Sequence, residues 1–437
     1  MKFISTLILV LNAIVLQAQD FNKAKLDSLF TLIETNNKGW GSASIFKDGK
    51  EIYTRSIGYA NLEDSIPATK ETKYQIGSIS KTFTAVIIMK LIEEGKLSLD
   101  TKLSKFFPEI SNAEEITIEQ LLKHRSGIFN YTNSKNFSTY YLKNTSKDFL
   151  LNEIKNLGVV FKPNEKFEYS NSNYILLTWI IEDITKKEYK MVLNDYIEKP
   201  LELKNTYFKT IATKKENEAK SYINSLKTEV VPDWNTSVAL GAGGITSTPT
   251  DLNIFITKLF DGKLVSKKSL ALMMPSDNYY GLGIFKVPFN NKTGYGHNGK
   301  IAGFDSVVYN FNLDNVSISY LSNNTDFIVN DIVIGMLSIY FDNKYKFPTF
   351  SIYKVSLETL KEYVGVYSKE NFPIKITITN EGNKLLGQGT NQPQFILEPV
   401  EKHKFKVDAV GAKIEFKPES KQLILHQGGQ VIEMIKE

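Results

Sequence analysis

Three short stretches carry residues able to act together on a carbonyl group. In Gly77-Ser78-Ile79-Ser80-Lys81-Thr82, Ser78 and Lys81 stand three apart at what reads as a helix start, so both face one side. Unsatisfied backbone N–H groups there favour an anion such as a serine alkoxide or an acyl oxyanion. A lysine pressed against that hydroxyl becomes a proton acceptor once desolvation lowers its pKa. Taken singly, the pair reads more simply as an N-capping serine beside a solvated lysine. The second stretch is Phe167-Glu168-Tyr169-Ser170-Asn171-Ser172-Asn173. A phenol near two cations falls in pKa and becomes a usable base, whereas the simpler reading is a loop with an aromatic plug. The third is Tyr295-Gly296-His297-Asn298-Gly299-Lys300, whose glycines let a backbone approach a ligand closely. His297 alone reads as a structural histidine. Lys292-Thr293-Gly294 lies just upstream, but Asn290-Asn291 before it predicts a loop tip, outside the site.

Together, the order and spacing of the three stretches resemble the serine β-lactamase and penicillin-binding-protein superfamily. The resemblance is to the branch with class C β-lactamases, D-aminopeptidases and related serine esterases. Other phrases agree: Tyr74-Gln75-Ile76-Gly77 before the serine, and Gln120-Leu121-Leu122-Lys123-His124-Arg125-Ser126-Gly127, similar to the family's LLxHxSG. Pro200-Leu201-Glu202-Leu203-Lys204-Asn205-Thr206 is similar to PLGMxxT, and Ala242-Gly243-Gly244-Ile245-Thr246-Ser247-Thr248 to AGGLxST. The resemblance implies that Ser78 is the acylated nucleophile, Lys81 its proton partner and Tyr169 the base of a Y-x-N element, with Asn171 contacting the substrate amide. It implies that His297-Asn298-Gly299 stand where the family carries K-T-G, and that the N–H groups of Ser78 and Lys300 form the oxyanion hole. Class C enzymes carry a lysine at the place of His297. A neutral histidine does less to bind a carboxylate or to keep the tyrosine acidic, which weighs against strong penicillin turnover. Glu198 reads as structural.

The elements that must position these residues follow from the hydrophobic pattern. Alternation over 42–58 around Asp48-Gly49 predicts a hairpin. A helix is expected from Ser78 to Glu94, apolar on nearly every side and therefore buried, stopped by Gly95. Further helices are expected at Glu115–Lys123, Lys147–Leu157, Asn173–Ile184 and Tyr189–Ile197, strands at Gly281–Lys286, Ser306–Phe311 and Val316–Leu321, and a closing helix at Asn330–Tyr340. This is an α/β (α+β) chain, a mixed antiparallel sheet flanked by helices with an inserted helical lobe. After a boundary near Asn343–Tyr353, short alternating runs predict a small all-β domain: Ile374–Thr379, Phe395–Val400, Phe405–Val407, Lys413–Phe416, Gln422–Leu425 and Val431–Ile435. The expected division is 1–18 signal peptide, 19–345 hydrolase domain and 355–437 β-rich domain. The tail, from Tyr363-Val364-Gly365-Val366-Tyr367, resembles the β-rich domain often appended to such hydrolases.

Composition narrows the chemistry. The absence of cysteine excludes disulfides, thiolate metal sites and a Cys nucleophile. The four histidines, His124, His297, His403 and His426, lie far apart without HExxH spacing, so no metal and no cofactor is expected. A net charge of +5 over 437 residues is too weak an excess to argue for nucleic acid. Lys2, the apolar run through Leu16 and the small Ala18 read as a secretory signal, too short for a membrane span. The expectation is a periplasmic or secreted serine hydrolase acting on a small-molecule or peptide substrate, with no stable membrane span; the oligomeric state is left open. The competing readings are an inactive binding or sensor protein that keeps the pocket, and a Ser-His-Asp hydrolase of another fold. No G-x-S-x-G occurs to support the latter.

Overall fold

A computed structural model describes residues 21–210, 216–224, 228–276, 279–325, 327–350, 353–392 and 394–437. The expected signal segment 1–18 lies outside the described residues. Six antiparallel strands form one sheet in the order Phe285–Phe289, Lys292–Ile301, Phe304–Phe311, Val316–Thr325, Gly39–Lys47 and Lys50–Ile57. The first hairpin turns at Asp48 (φ 51°) and Gly49 (φ 75°), both left-handed as a two-residue turn between twisted strands requires. The N-terminal strand Gly39–Lys47 pairs with Val316–Thr325, so the two ends of the hydrolase segment meet in one sheet. The helical lobe is inserted between the strands Lys50–Ile57 and Phe285–Phe289.

Helices Lys23–Thr35 and Val329–Tyr340 share one apolar core with the sheet, built on Phe30, Ile45, Tyr320 and Met336. A second, larger core holds helix Ser80–Glu93, eleven of whose fourteen residues are buried, the polar Ser80, Lys81, Thr82 and Thr84 at its start among them. Phe83 of this helix stacks on Phe255 of helix Pro249–Phe260, ring centres 3.7 Å apart.

The tail forms a closed barrel of eight antiparallel strands, in which Gly365–Ser368 pairs with the last strand, Gln430–Lys436. Closure leaves no open sheet edge in so small a unit. Its core centres on Tyr363 stacked against Phe416 at 4.3 Å. Lys38 of the hydrolase segment is buried against Glu398 and Asp408 of the barrel, and Lys406 pairs with Asp408 at 2.8 Å.

Several expected elements shift. The strand expected at Gly281–Lys286 is Phe285–Phe289, because Gly283 (φ 73°) turns the chain and the Gly281 N–H closes on the Ile284 carbonyl. The helix expected at Glu115–Lys123 shortens to Ile118–Leu122, started by a Thr117–Gln120 capping box. The Tyr189–Ile197 helix is α only to Leu193, then widens to a π turn over Asn194–Glu198. The loop tip expected at Asn290-Asn291 is the two-residue turn of a hairpin, and Lys292 just beyond it already pairs with Phe289. The barrel strand Lys384–Gly389 has no counterpart among the expected runs, since its two glycines dilute the alternation.

Candidate active site

Ser78 sits one step before the helix, in a 3-10 turn over Gly77–Ile79, and the α-helix itself begins at Ser80. The expected helix start at Ser78 is corrected by Gly77, whose φ of 48° bends the chain just before the serine. Lys81 lies fully buried beneath, with Nζ 2.9 Å from Ser78 Oγ, 2.8 Å from Asn171 Oδ1 and 2.8 Å from the Ala242 carbonyl. Burial without a carboxylate partner pulls this lysine's pKa well below 10.5. Two of its neighbours can only accept, so once the amine is uncharged they use both N–H bonds and leave the lone pair facing the serine hydroxyl.

The Ala242 carbonyl is available because the helix Thr236–Gly243 breaks at Leu240, held at φ 37°, ψ −141°. The break redirects successive backbone groups outward: the Gly241 N–H to Thr178 Oγ1, the Gly241 carbonyl to Thr84 Oγ1 and the Ala242 carbonyl to Lys81. A leucine in so sparsely populated a conformation is the kind of strain that collects at working sites.

Asn171 opens the helix Asn171–Thr185. Its Nδ2 donates to Thr132 Oγ1 at 3.1 Å, which turns Oδ1 toward Lys81. Tyr169, two residues before, is half-buried, with its ring centre 4.9 Å from Lys81 Nζ and its phenol on the side of Ser78. The expectation of a phenol acidified by two cations is corrected here. Burial raises the Tyr169 pKa, Ser78 lowers it less, and no lowering by Lys81 or His297 offsets the burial.

The strand Lys292–Ile301 passes backbone to backbone against the serine turn. A Cβ at Gly299 would collide with the Ile76 carbonyl and come within 2.9 Å of the Ser78 nitrogen, and one at Gly77 would come within 2.8 Å of the Lys300 nitrogen. The Ser78 and Lys300 backbone nitrogens are thus brought to one place. The Lys300 side chain points away, 76% exposed and 3.3 Å from Asp305, and Asn298 is exposed.

His297 is buried, and burial lowers its pKa to about 3. The Asn298 carbonyl can only accept, so His297 Nδ1 carries the proton toward it (2.5 Å) and Nε2 accepts from the Tyr280 hydroxyl (3.2 Å). Phe285 and Tyr169 pack around the ring. Sequence reasoning passed over Tyr280, Ala242 as a lysine partner, and His124, whose ring lies 4.2 Å from that of Tyr169. His124 had a signal in its place in the Gln120–Gly127 phrase and Ala242 in the Ala242–Thr248 phrase, whereas Tyr280 had none. None of the hydrogen bonds and ring contacts found for Ser78, Lys81, Tyr169 or His297 reaches the barrel. Among the described residues there is no group of His, Asp and Glu able to hold a metal ion, and no helix long and apolar enough to cross a membrane.

Comparison with known proteins places these features in a wider group. Teichoic acid D-alanine hydrolase of Staphylococcus aureus is 30% identical over 234 residues, 52% of this chain and 56% of that protein, so the chain spans about half the length of this relative. The crystal structure of D-amino acid amidase from Ochrobactrum anthropi SV3 superposes with a TM-score of 0.67 at 25% identity, covering 73% of this chain and 98% of the amidase. The octameric penicillin-binding protein homologue from Pyrococcus abyssi reaches the same TM-score, 0.67, at 26% identity over 94% of this chain and 99% of its own. The Beta-lactamase family profile matches residues 37–335, a span containing all three stretches and the whole six-stranded sheet, and the chain belongs to that family.

Proposed function

We propose that the chain is a serine hydrolase that cleaves an amide or ester through an acyl-enzyme on Ser78. The observation carrying this reading is the buried Lys81 Nζ 2.9 Å from the Ser78 hydroxyl, with Asn171 Oδ1 and the Ala242 carbonyl as its other partners and its pKa held well below 10.5 by burial. The serine proton passes to the Lys81 lone pair as Oγ bonds to the carbonyl carbon. The resulting oxyanion lies at the Ser78 and Lys300 N–H groups, each such donor contributing ~3–4 kcal/mol. The Tyr169 phenol, kept protonated by its surroundings, gives its proton to the departing nitrogen or oxygen, and the proton that Lys81 took from Ser78 then returns to the phenolate. Water, deprotonated by the same groups, then releases the acid. Asn171 orients Lys81 and faces the substrate amide.

A D-amino-acid ester or amide is the preferred substrate class. The support for it is the similarity to a teichoic acid D-alanine hydrolase and a D-amino acid amidase, together with a neutral, buried His297 that offers no fixed charge to a carboxylate. We assign the activity to the cell envelope or its exterior, periplasmic or secreted, on the export-like pattern of residues 1–18. No nucleic acid takes part. The test is intact-mass detection of a fluorophosphonate adduct on wild type and Ser78→Ala. It is run beside turnover of a p-nitrophenyl ester, a D-alanyl amide and nitrocefin. An adduct that persists in Ser78→Ala, or a wild type that neither labels nor turns over any of the three, refutes the reading in favour of an inactive binding protein.

A further inference from the structure

His124 does not touch the reacting atoms, yet its polar groups converge on the residue that does. It follows the short helix Ile118–Leu122 with φ 55°, a conformation that favours Gly or Asn, and its side chain is fully buried. Chain reversal alone gives no reason for an imidazole at such a position. Its carbonyl accepts the Glu168 N–H at 3.0 Å, and its Nδ1 accepts the Ser170 N–H at 3.1 Å. These two bonds bracket Tyr169. The imidazole also lies along the phenol ring, centroids 4.2 Å apart and planes 32° to one another.

The ring is fixed from its other sides. The Asn173 Nδ2 stands 3.3 Å from Nδ1, and Asn173 Oδ1 in turn accepts the Ser126 hydroxyl at 2.7 Å. Tyr280 and Tyr174 close the remaining side with ring centres at 4.9 Å and 5.2 Å. Because a backbone N–H can only donate, Nδ1 is unprotonated and the proton sits on Nε2, for which no hydrogen-bond partner is found among the described residues.

We propose that His124 is a positioning residue of the active site: its carbonyl and imidazole hold the backbone on both sides of Tyr169, and its ring keeps the phenol at Ser78. The consequence for turnover rests on the serine-hydrolase reading, whereas the clamp itself does not. The test uses the full chain with His124→Gly and His124→Asn, both of which tolerate the left-handed backbone. Gly deletes the acceptor and the ring, and Asn keeps an acceptor near the place of Nδ1. Amide hydrogen exchange of Ser170 should speed up at least ~tenfold in His124→Gly, while Glu168, still bonded to the retained carbonyl, changes little. Turnover of a D-alanyl amide, whose departing nitrogen needs a proton, should fall ~10- to 100-fold with KM nearly unchanged, as expected for a displaced proton donor, and His124→Asn should recover most of it. In a Tyr169→Phe background His124→Gly should lower the rate less than ~twofold, because a group acting through the phenol has nothing left to act on.

The same loss with and without the phenol, wild-type rates in folded His124→Gly, or an unchanged Ser170 amide each overturns the proposal. Should His124→Gly not fold, His124→Phe keeps a ring and deletes the acceptor, and a folded His124→Phe whose Ser170 amide exchanges as slowly as in wild type overturns it as well. A wild type that is never acylated refutes the hydrolase reading, and Ser170 exchange then still decides the clamp.

Discussion

Lys81→Met separates the chemical role of the amine from the cost of burying it. Methionine keeps most of the length and volume of the side chain and removes the nitrogen. Two acceptors then lose their donor, the Ala242 carbonyl and Asn171 Oδ1, each 2.8 Å from Nζ. Leaving a buried polar group unmatched costs ~1–3 kcal/mol. The opposing term depends on pH. In the unfolded chain the lysine titrates at 10.5, and in the folded chain burial places it well below. Between those two values the unfolded chain binds one more proton, so this group makes stability rise with pH, and the rise ends at 10.5. The slope is ~1.4 kcal/mol per pH unit. The other titrating groups are common to both proteins and largely cancel in the difference. Urea unfolding at pH 8 and pH 9 should therefore show the stability of wild type relative to Lys81→Met growing by ~1.4 kcal/mol, with similar m-values. Acylation of Ser78 should fall by ~10²–10⁴ in the same variant. A stability difference that does not move with pH means that the folded chain holds an ammonium. The base would then have to be Tyr169, and the burial argument for a neutral amine fails.

Three further outcomes are expected. Gly299→Ala drives a methyl group into the Ile76 carbonyl and toward the Ser78 nitrogen, separating strand from turn, so ester acylation should drop ~10²-fold or more; stopped-flow rates within a few-fold of wild type would show that Lys300 N–H is not an oxyanion donor. His297 titrates at about 3 when folded against 6.5 when unfolded, so it removes stability as pH falls through that window, by at most ~1.4 kcal/mol per unit. His297→Gln should make the acid side of a urea-stability profile between pH 6 and pH 4 shallower, and an unchanged slope contradicts the buried, neutral ring. A chain ending at Asn343 should still be labelled by a fluorophosphonate, because none of the hydrogen bonds and ring contacts found for Ser78, Lys81, Tyr169 or His297 reaches the barrel; a folded truncated chain that resists labelling would move part of the site into the barrel.

Much of the fold was legible because the relevant forces are local. Asp48-Gly49 can occupy a left-handed two-residue turn where most residues cannot, so the hairpin showed in the order of residues. Helix Lys147–Leu157 and the nearly all-round apolar helix ending at Glu93 followed from periodicity. Strand Lys292–Ile301 was hidden by three glycines, residues with poor strand propensity: Gly296 and Gly299 have another backbone against them, and Gly294 has the Phe311 ring.

For the site, the amino-acid order determined the inventory: a serine and a lysine one helical turn apart, a tyrosine two residues before an asparagine, and a glycine-bordered histidine, all in the order of one superfamily. It also determined that the chemistry had to proceed without thiols. Protonation states were beyond its reach, because a pKa depends on what surrounds a group in three dimensions. Only the tertiary structure removed Lys81 from water, opened the helix at Leu240 to offer it the Ala242 carbonyl, and turned the Asn171 amide toward it. The same packing made Tyr169 a weaker acid where a stronger one was expected, and enclosed His297 among aromatic rings as a neutral acceptor for Tyr280. Spacing along a chain brings residues to one face of one element. The dielectric around a charge, and the partners left for its protons, are set by segments far away in sequence, and here they arrive from residues 124, 171, 242 and 280.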